Sequence, residues 1–241
     1  MEQRTFQSEG QWNIVYYPVK PSGFSVLIIG DQNHFVEEEN SYWLQHPGRL
    51  QILDRLKECG YMVFSSNFYK SGWGSQKAVE LAKKIYFIMM KNEILNSKIH
   101  ILAEGTGALT AVKLMDNMKE HIRSVVLINP CLSLKAHLKK EKENKFFYKT
   151  QLKEISRAYG MKEERCEQFI ISSEETWPNK EIPLKIIQVV ESMEKGQTDL
   201  YRRLEQQSER AETDITYLLP EKRYKIPLQI QQFFKKYESS L

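Results

Sequence analysis

The sequence predicts an α/β fold, with a mostly parallel sheet, helices on both of its faces and an inserted helical segment. Three observations carry this. Short apolar runs alternate with helix-like stretches through residue 130, the pattern of parallel strands joined by helical crossovers. Several of these runs are apolar throughout, the profile of strands buried on both faces. A charged stretch from 135 to 180 then breaks the alternation, which resumes after Pro183.

Each element has a local reason. Residues 11–19 alternate and are rich in β-formers, predicting a strand. Lys20-Pro21-Ser22-Gly23 is a turn, and 24–29 is a buried strand ending at Gly30-Asp31. The polar segment 32–45, with Glu37-Glu38-Glu39, is expected to be a loop. Pro47 suits a first helical position. It opens a helix whose Leu50, Leu53 and Leu56 recur every three residues, and which Gly60 stops. A strand at 61–65 runs into a glycine-containing loop at 67–75. A helix at 77–91, a strand at 99–103, a helix at 108–118 and a strand at 124–128 follow, the last ending in Asn129-Pro130. The block 135–165 is charged and helical. Beyond it come a strand at 184–190, a helix at 198–207, a strand at 214–219 and a helix at 227–237.

Composition limits the function classes. With 241 residues, 41% of them hydrophobic, the chain can bury a sizeable core. A net charge of +4 is too mild for a dedicated nucleic-acid binder. The apolar runs are far shorter than a membrane span. The first residues lack the apolar core of a secretory signal. Cys59, Cys131 and Cys166 are well separated, an odd number without CxxC, which suits a reducing cytoplasm and thiols buried as small hydrophobes. His34, His46, His100, His121 and His137 form no metal-ligand spacing, so no metal and no cofactor is expected. His34, just after Gly30-Asp31, is a candidate pocket residue; the other four are expected at the surface or in the inserted segment.

The most telling segment is 101–107, Ile-Leu-Ala-Glu-Gly-Thr-Gly. It resembles the nucleophile elbow of the α/β-hydrolase superfamily, a sharp strand-to-helix turn of the pattern small-x-nucleophile-x-small. Ala103 and Gly107 are the small pair, so Gly105 stands at the centre and has no side chain with which to attack. Taking Thr106 as the nucleophile would put Glu104 where a small residue belongs. The resemblance extends along nearly the whole chain. The strand ending at Gly30 matches one that often ends in His-Gly. Ser71-Gly72-Trp73-Gly74-Ser75 is similar to an Arg-Gly-x-Gly-x-Ser loop, and Asn129-Pro130 closes the strand after the elbow helix. The charged block falls where the family inserts a cap. The resemblance thus implies an α/β-hydrolase-like core at 1–134 and 181–241, with a helical cap at 135–180.

The family's functional positions are not filled in kind. The acid position aligns with Ser192, beside Glu191 and Glu194, and the strand before it ends in Asn129. The histidine position falls at Tyr224 or Arg223, and no histidine lies beyond His137. A serine-type triad needs a nucleophile, an imidazole base and an orienting carboxylate. The expectation is therefore a catalytically inactive chain with degenerate positions Gly105, Ser192 and Tyr224, which binds a small-molecule ligand or a protein partner. The expected ligand-binding residues are Gly30, Asp31, His34, Glu104, Gly105 and Thr106. The backbone N–H groups of Gly105 and Thr106 are expected to offer an anion site at a helix N-terminus. Glu104 either meets a polar ligand or acts as an acid or base, or else pairs with a lysine or faces solvent. The alternatives are an ester or acyl hydrolase or acyltransferase built on Thr106 or Glu104, and a structural subunit of a larger assembly. The stretch beginning at Lys135 and ending at Arg157 carries eight Lys or Arg against three Glu, around Phe146, Phe147 and Tyr148. It is either a lid that touches an anionic partner or membrane surface or a solvated cap helix whose aromatics pack down on the pocket.

Overall fold

The strands are β1 (Gln3–Ser8), β2 (Gln11–Tyr16), β3 (Ser25–Ile29), β4 (Met62–Ser66), β5 (Ile99–Glu104), β6 (Ile122–Ile128), β7 (Leu184–Val189) and β8 (Thr213–Leu218). They form one eight-stranded sheet in the order β1-β2-β4-β3-β5-β6-β7-β8. The β1–β2 and β2–β4 pairings are antiparallel and all the others are parallel. The computed structural model describes residues 2–142, 145–173, 177–190, 200–201, 203–206 and 213–238.

The helices are α1 (Tyr42–Gln45), α2 (Pro47–Glu58), α3 (Gln76–Asn92), α4 (Gly107–Asn117), α5 (Leu134–Glu141), α6 (Lys145–Tyr159) and α7 (Glu163–Ser172), with a last helix at Ile226–Lys236. Residues 200–201 and 203–206 are also helical. The two faces of the sheet bury two separate clusters. Leu27 and Ile29 of β3 pack toward α3 and α4. Val26 and Ile28 pack the other way, with Leu53 and Leu56 of α2 and Ile230 and Phe234 of the last helix. Side chains alternate across a strand, so an all-apolar run serves both faces at once. A third cluster joins α5, α6 and α7 around Trp73, which reaches in from the loop after β4.

Strand β1 was not expected. Its residues are half exposed and polar, as suits an edge strand, and they give little periodic signal. It pairs with β2 across Glu9-Gly10, both at positive φ, the geometry of a tight two-residue hairpin. The expected strand 11–19 ends instead at Tyr16, and Pro18 has no N–H with which to continue a ladder. The expected loop 32–45 contains α1, whose N-cap Ser41 accepts from Leu44 N–H. The charged block forms three helices that continue to Ser172. Phe146 and Phe147 do not pack down, being 76% and 54% exposed. The inward face of α6 is made by Leu152, Ile155 and Ala158, one helical ridge away. His100 is not a surface residue. It is fully buried in β5, bonded to Ser124 at 2.8 Å and stacked on Phe234.

Candidate functional site

Gly105 stands at the apex of a strand–turn–helix between β5 and α4, with φ +52°. Glycine adopts this left-handed conformation without steric cost. Three backbone bonds clamp the apex. Gly105 N–H donates to Ile128 O at 3.0 Å, and Gly105 O accepts from Cys131 N–H at 2.9 Å and Ala108 N–H at 3.2 Å. Gly107 begins α4 so close to β3 that a Cβ there would overlap the carbonyl oxygens of Ile29 and Gly30. Ala103 is fully buried on the other flank.

The space above Gly105 is filled from another strand end. A Cβ on Gly105 would overlap the carboxylate of Asp31, two residues beyond the end of β3. Asp31 Oδ1 accepts from Thr106 N–H, Thr106 Oγ1–H and Gln32 N–H, each at 2.8 Å. The N–H of the residue after the elbow centre and one from the loop after β3 are the pair that forms an oxyanion hole in this architecture. Both donors converge here, and the chain's own carboxylate occupies them. The expected anion site at Gly105 and Thr106 is therefore changed in two ways. Gly105 N–H extends the sheet, and Thr106 N–H is spent on Asp31. Thr106 Oγ1 also accepts from Gln32 N–H at 3.1 Å, and the residue is only 4% exposed. Its hydroxyl is thus a structural link.

Glu104 neither meets a lysine nor faces solvent. It is buried, and Arg49 of α2 grips it with both Nε, at 3.0 Å from Oε2, and Nη2, on Oε1. A bidentate fork of this kind satisfies the carboxylate and fixes its direction. It leaves Glu104 poorly suited to proton transfer.

Asp31, Glu104, Gly105 and Thr106 border a cavity of about 230 Å³ at the carboxyl ends of the parallel strands. Open α/β sheets bind ligands at this edge. The lining also includes residues that were not anticipated: Cys131, His137, Gln188 and Tyr201. His137 comes from α5, where its Nε2 bonds Gln151 Oε1 at 2.8 Å and its ring lies against Trp73. Tyr201 hydroxyl bonds Pro130 O at 3.0 Å and Gln188 Oε1 at 2.7 Å. Asn129, at the end of β6, also lines the cavity and accepts from Val189 N–H at 2.8 Å. A place at the carboxyl end of a strand was the available signal for Asn129, just after β6, and for Gln188, in the last two residues of β7. His137, Tyr201 and Arg49 come from helices distant in sequence and had none.

Gly30 and His34 do not border this cavity. With Trp43 and Ser65 they line a narrow recess on the other side of Asp31. His34 stacks on Tyr42 at 3.9 Å, and burial, reinforced by Arg49 and His46, pulls its pKa down to about 3. It is a neutral packing residue at ordinary pH. His46 caps α2 by accepting from Gly48 N–H. Tyr224 lies in a 3₁₀ turn at Pro220–Lys225, is 64% exposed and does not line the cavity. Ser192, Glu191 and Glu194 lie outside the described residues. Among the described residues, no group of three or more His, Cys, Asp or Glu is placed to hold a metal ion. No helix among them is long and apolar enough to cross a membrane.

No protein-family model and no curated protein sequence matches the chain. Solved structures do. XC6422 from Xanthomonas campestris, described as an α/β serine hydrolase without a lid, superposes with a TM-score of 0.63 at 11% identity, over 100% of this chain and 97% of that one. An S-formylglutathione hydrolase from Agrobacterium tumefaciens gives 0.63 at 12% identity, covering 98% and 94%. A soluble variant of monoglyceride lipase from Saccharomyces cerevisiae gives 0.62 at 12% identity, covering 98% and 96%. The strand order, the elbow at Gly105 and these superpositions together show that the chain has the α/β-hydrolase fold.

Proposed function

We propose that the chain is a catalytically silent α/β-hydrolase-fold module that binds a small polar molecule in the cavity beside Gly105. The observation that carries this reading is the Asp31 carboxylate in the hole. Acyl transfer needs a nucleophile above the elbow and free donors where the oxyanion develops. Here the first is glycine, and the second are already taken by a resident carboxylate. A substrate carbonyl would have to displace Asp31, and the displaced carboxylate would lose three hydrogen bonds. The cavity itself is retained and is lined by polar groups, as a binding site requires.

A second reading uses Thr106 as nucleophile with Asp31 as its base, because their 2.8 Å hydrogen bond joins a hydroxyl to a carboxylate. Against it, Thr106 is buried and the same carboxylate blocks the hole. Turnover of short-chain aryl esters separates the two readings. The expected rate equals that of buffer, since missing triad members cost several orders of magnitude. Hydrolysis well above buffer that disappears in Thr106→Ala would overturn the silent reading and establish the second.

A further inference from the structure

We infer that the cavity beside Gly105 is a site for a small primary ammonium group, with Asp31 as the residue that sets this preference. The inference rests on the binding reading above and names its ligand class. Asp31 Oδ1 is held by three donors, whereas Oδ2 takes no hydrogen bond from the described residues. Asp31 Oδ2 lies where a Cβ on Gly105 would stand, and both residues border the cavity, which makes this oxygen the charged acceptor at the apex.

The charge balance of the walls decides between ligand classes. Glu104 also lines the cavity, but Arg49 grips it in a bidentate pair from α2. Arg49 lies within electrostatic reach of Asp31, yet its fork is spent on Glu104. Among the described residues that line the cavity there is no lysine or arginine. His137 bonds Gln151, Tyr201 bonds Pro130 and Gln188, and Asn129 bonds Val189, while Gln32, which also borders the cavity, carries a neutral amide. The open charged group is thus the Asp31 carboxylate at a cavity of about 230 Å³, room for a ligand of a few heavy atoms. A carboxylate or phosphate ligand would meet a like charge and find the two backbone donors taken. An ammonium group donates three hydrogen bonds and brings the opposite charge. The hole that binds anions in an active hydrolase of this fold would here, through one residue, select a cation.

The probes are propylammonium, propan-1-ol and propionate, matched in size, titrated into the unmodified chain at fixed ionic strength. Binding is read from the amide resonances of Gln32 and Thr106, which lie beside Asp31. Propylammonium is expected to shift both amides saturably, at least tenfold more tightly than the alcohol, and propionate is expected not to bind. Asp31→Asn keeps the shape and removes the charge, and should weaken propylammonium at least tenfold. Asp31→Ala empties the hole at the N-terminus of α4, and should reverse the preference so that propionate shifts the same amides. Propionate binding to the unmodified chain, or equal propylammonium affinity in Asp31→Asn, overturns the assignment. If Asp31→Ala fails to fold, Asp31→Asn decides alone. Failure here is distinct from failure of the silent reading, which would appear as ester turnover in the unmodified chain.

Discussion

Two glycines separate the two physical reasons for lacking a side chain. At Gly107 a Cβ would overlap backbone oxygens of Ile29 and Gly30, atoms that cannot rotate away. At Gly160, φ is +65° but nothing lies within 4 Å of a built Cβ. The first position is closed by space, the second only by conformation. Gly107→Ala should therefore cost about 3 kcal/mol, the upper end for overpacking a rigid site, or prevent folding. Gly160→Ala should cost about 1 kcal/mol, the left-handed penalty alone. Urea unfolding curves with unchanged slope would measure both. Equal losses would mean that the helix–strand approach at Gly107 is looser than described. Gly105 combines both constraints, and its role could be read from the small residues at 103 and 107. That Asp31 would fill the vacated space could not. Asp31 and Gly105 are far apart in sequence, and only the parallel pairing of β3 with β5 brings their strand ends together.

At the level of elements, the site is held together by α2 and β5 through Arg49 and Glu104. Side-chain exposures of 26% and 6% make this a largely buried ion pair. Breaking a buried pair by removing one partner is costly because the other is left charged and desolvated. Glu104→Gln or Arg49→Met alone should destabilise the chain by about 2–3 kcal/mol, below the fully buried range because Arg49 keeps some water. The double variant Arg49→Met/Glu104→Gln should lose clearly less than the sum, a coupling that a double-mutant cycle reads directly. Additive losses would show that the two side chains act independently. The elements were legible wherever their period was strong: β3, β5, β6 and α2 lie within one or two residues of where the sequence puts them. Edge strand β1 and the one-turn α1 were not, since half-exposed polar strands and single turns carry almost no periodic signal. The Arg49–Glu104 pair was invisible for the same reason as Asp31 over Gly105: its register comes from helix–sheet packing.

On the scale of the whole molecule, two histidines on distinct sides of the fold make stability depend on acid. His100 is fully buried near the start of β5, between Ser124, Phe234 and Tyr61, and His34 is packed under Tyr42 beside the site. Burial is the main cause that pulls both pKa values down to about 3, aided by Arg123 at His100 and by Arg49 and His46 at His34. The unfolded chain protonates its histidines near pH 6.5, whereas the native state holds these two neutral. Stability is thus fully present above pH 6.5 and is lost as pH falls toward 3, because the unfolded state binds protons that the folded state refuses. For His100 the loss at pH 5 is about 2 kcal/mol, from one and a half units at 1.36 kcal/mol each. The window from pH 6.5 to 5 isolates this effect. Glu167, whose pKa is held below the usual carboxylate value by hydrogen bonds from Lys142 and Tyr148, titrates at lower pH. His100→Phe keeps a ring against Phe234 and removes the titration. It should flatten the decline in unfolding free energy across that window, whatever constant amount it costs by leaving Ser124 without its ring partner. A second variant, His34→Phe, should flatten it further and keep the stack on Tyr42. If His100→Phe loses stability between pH 6.5 and 5 as steeply as the unmodified chain, His100 is not held neutral in the fold, and the acid sensitivity must come from other groups.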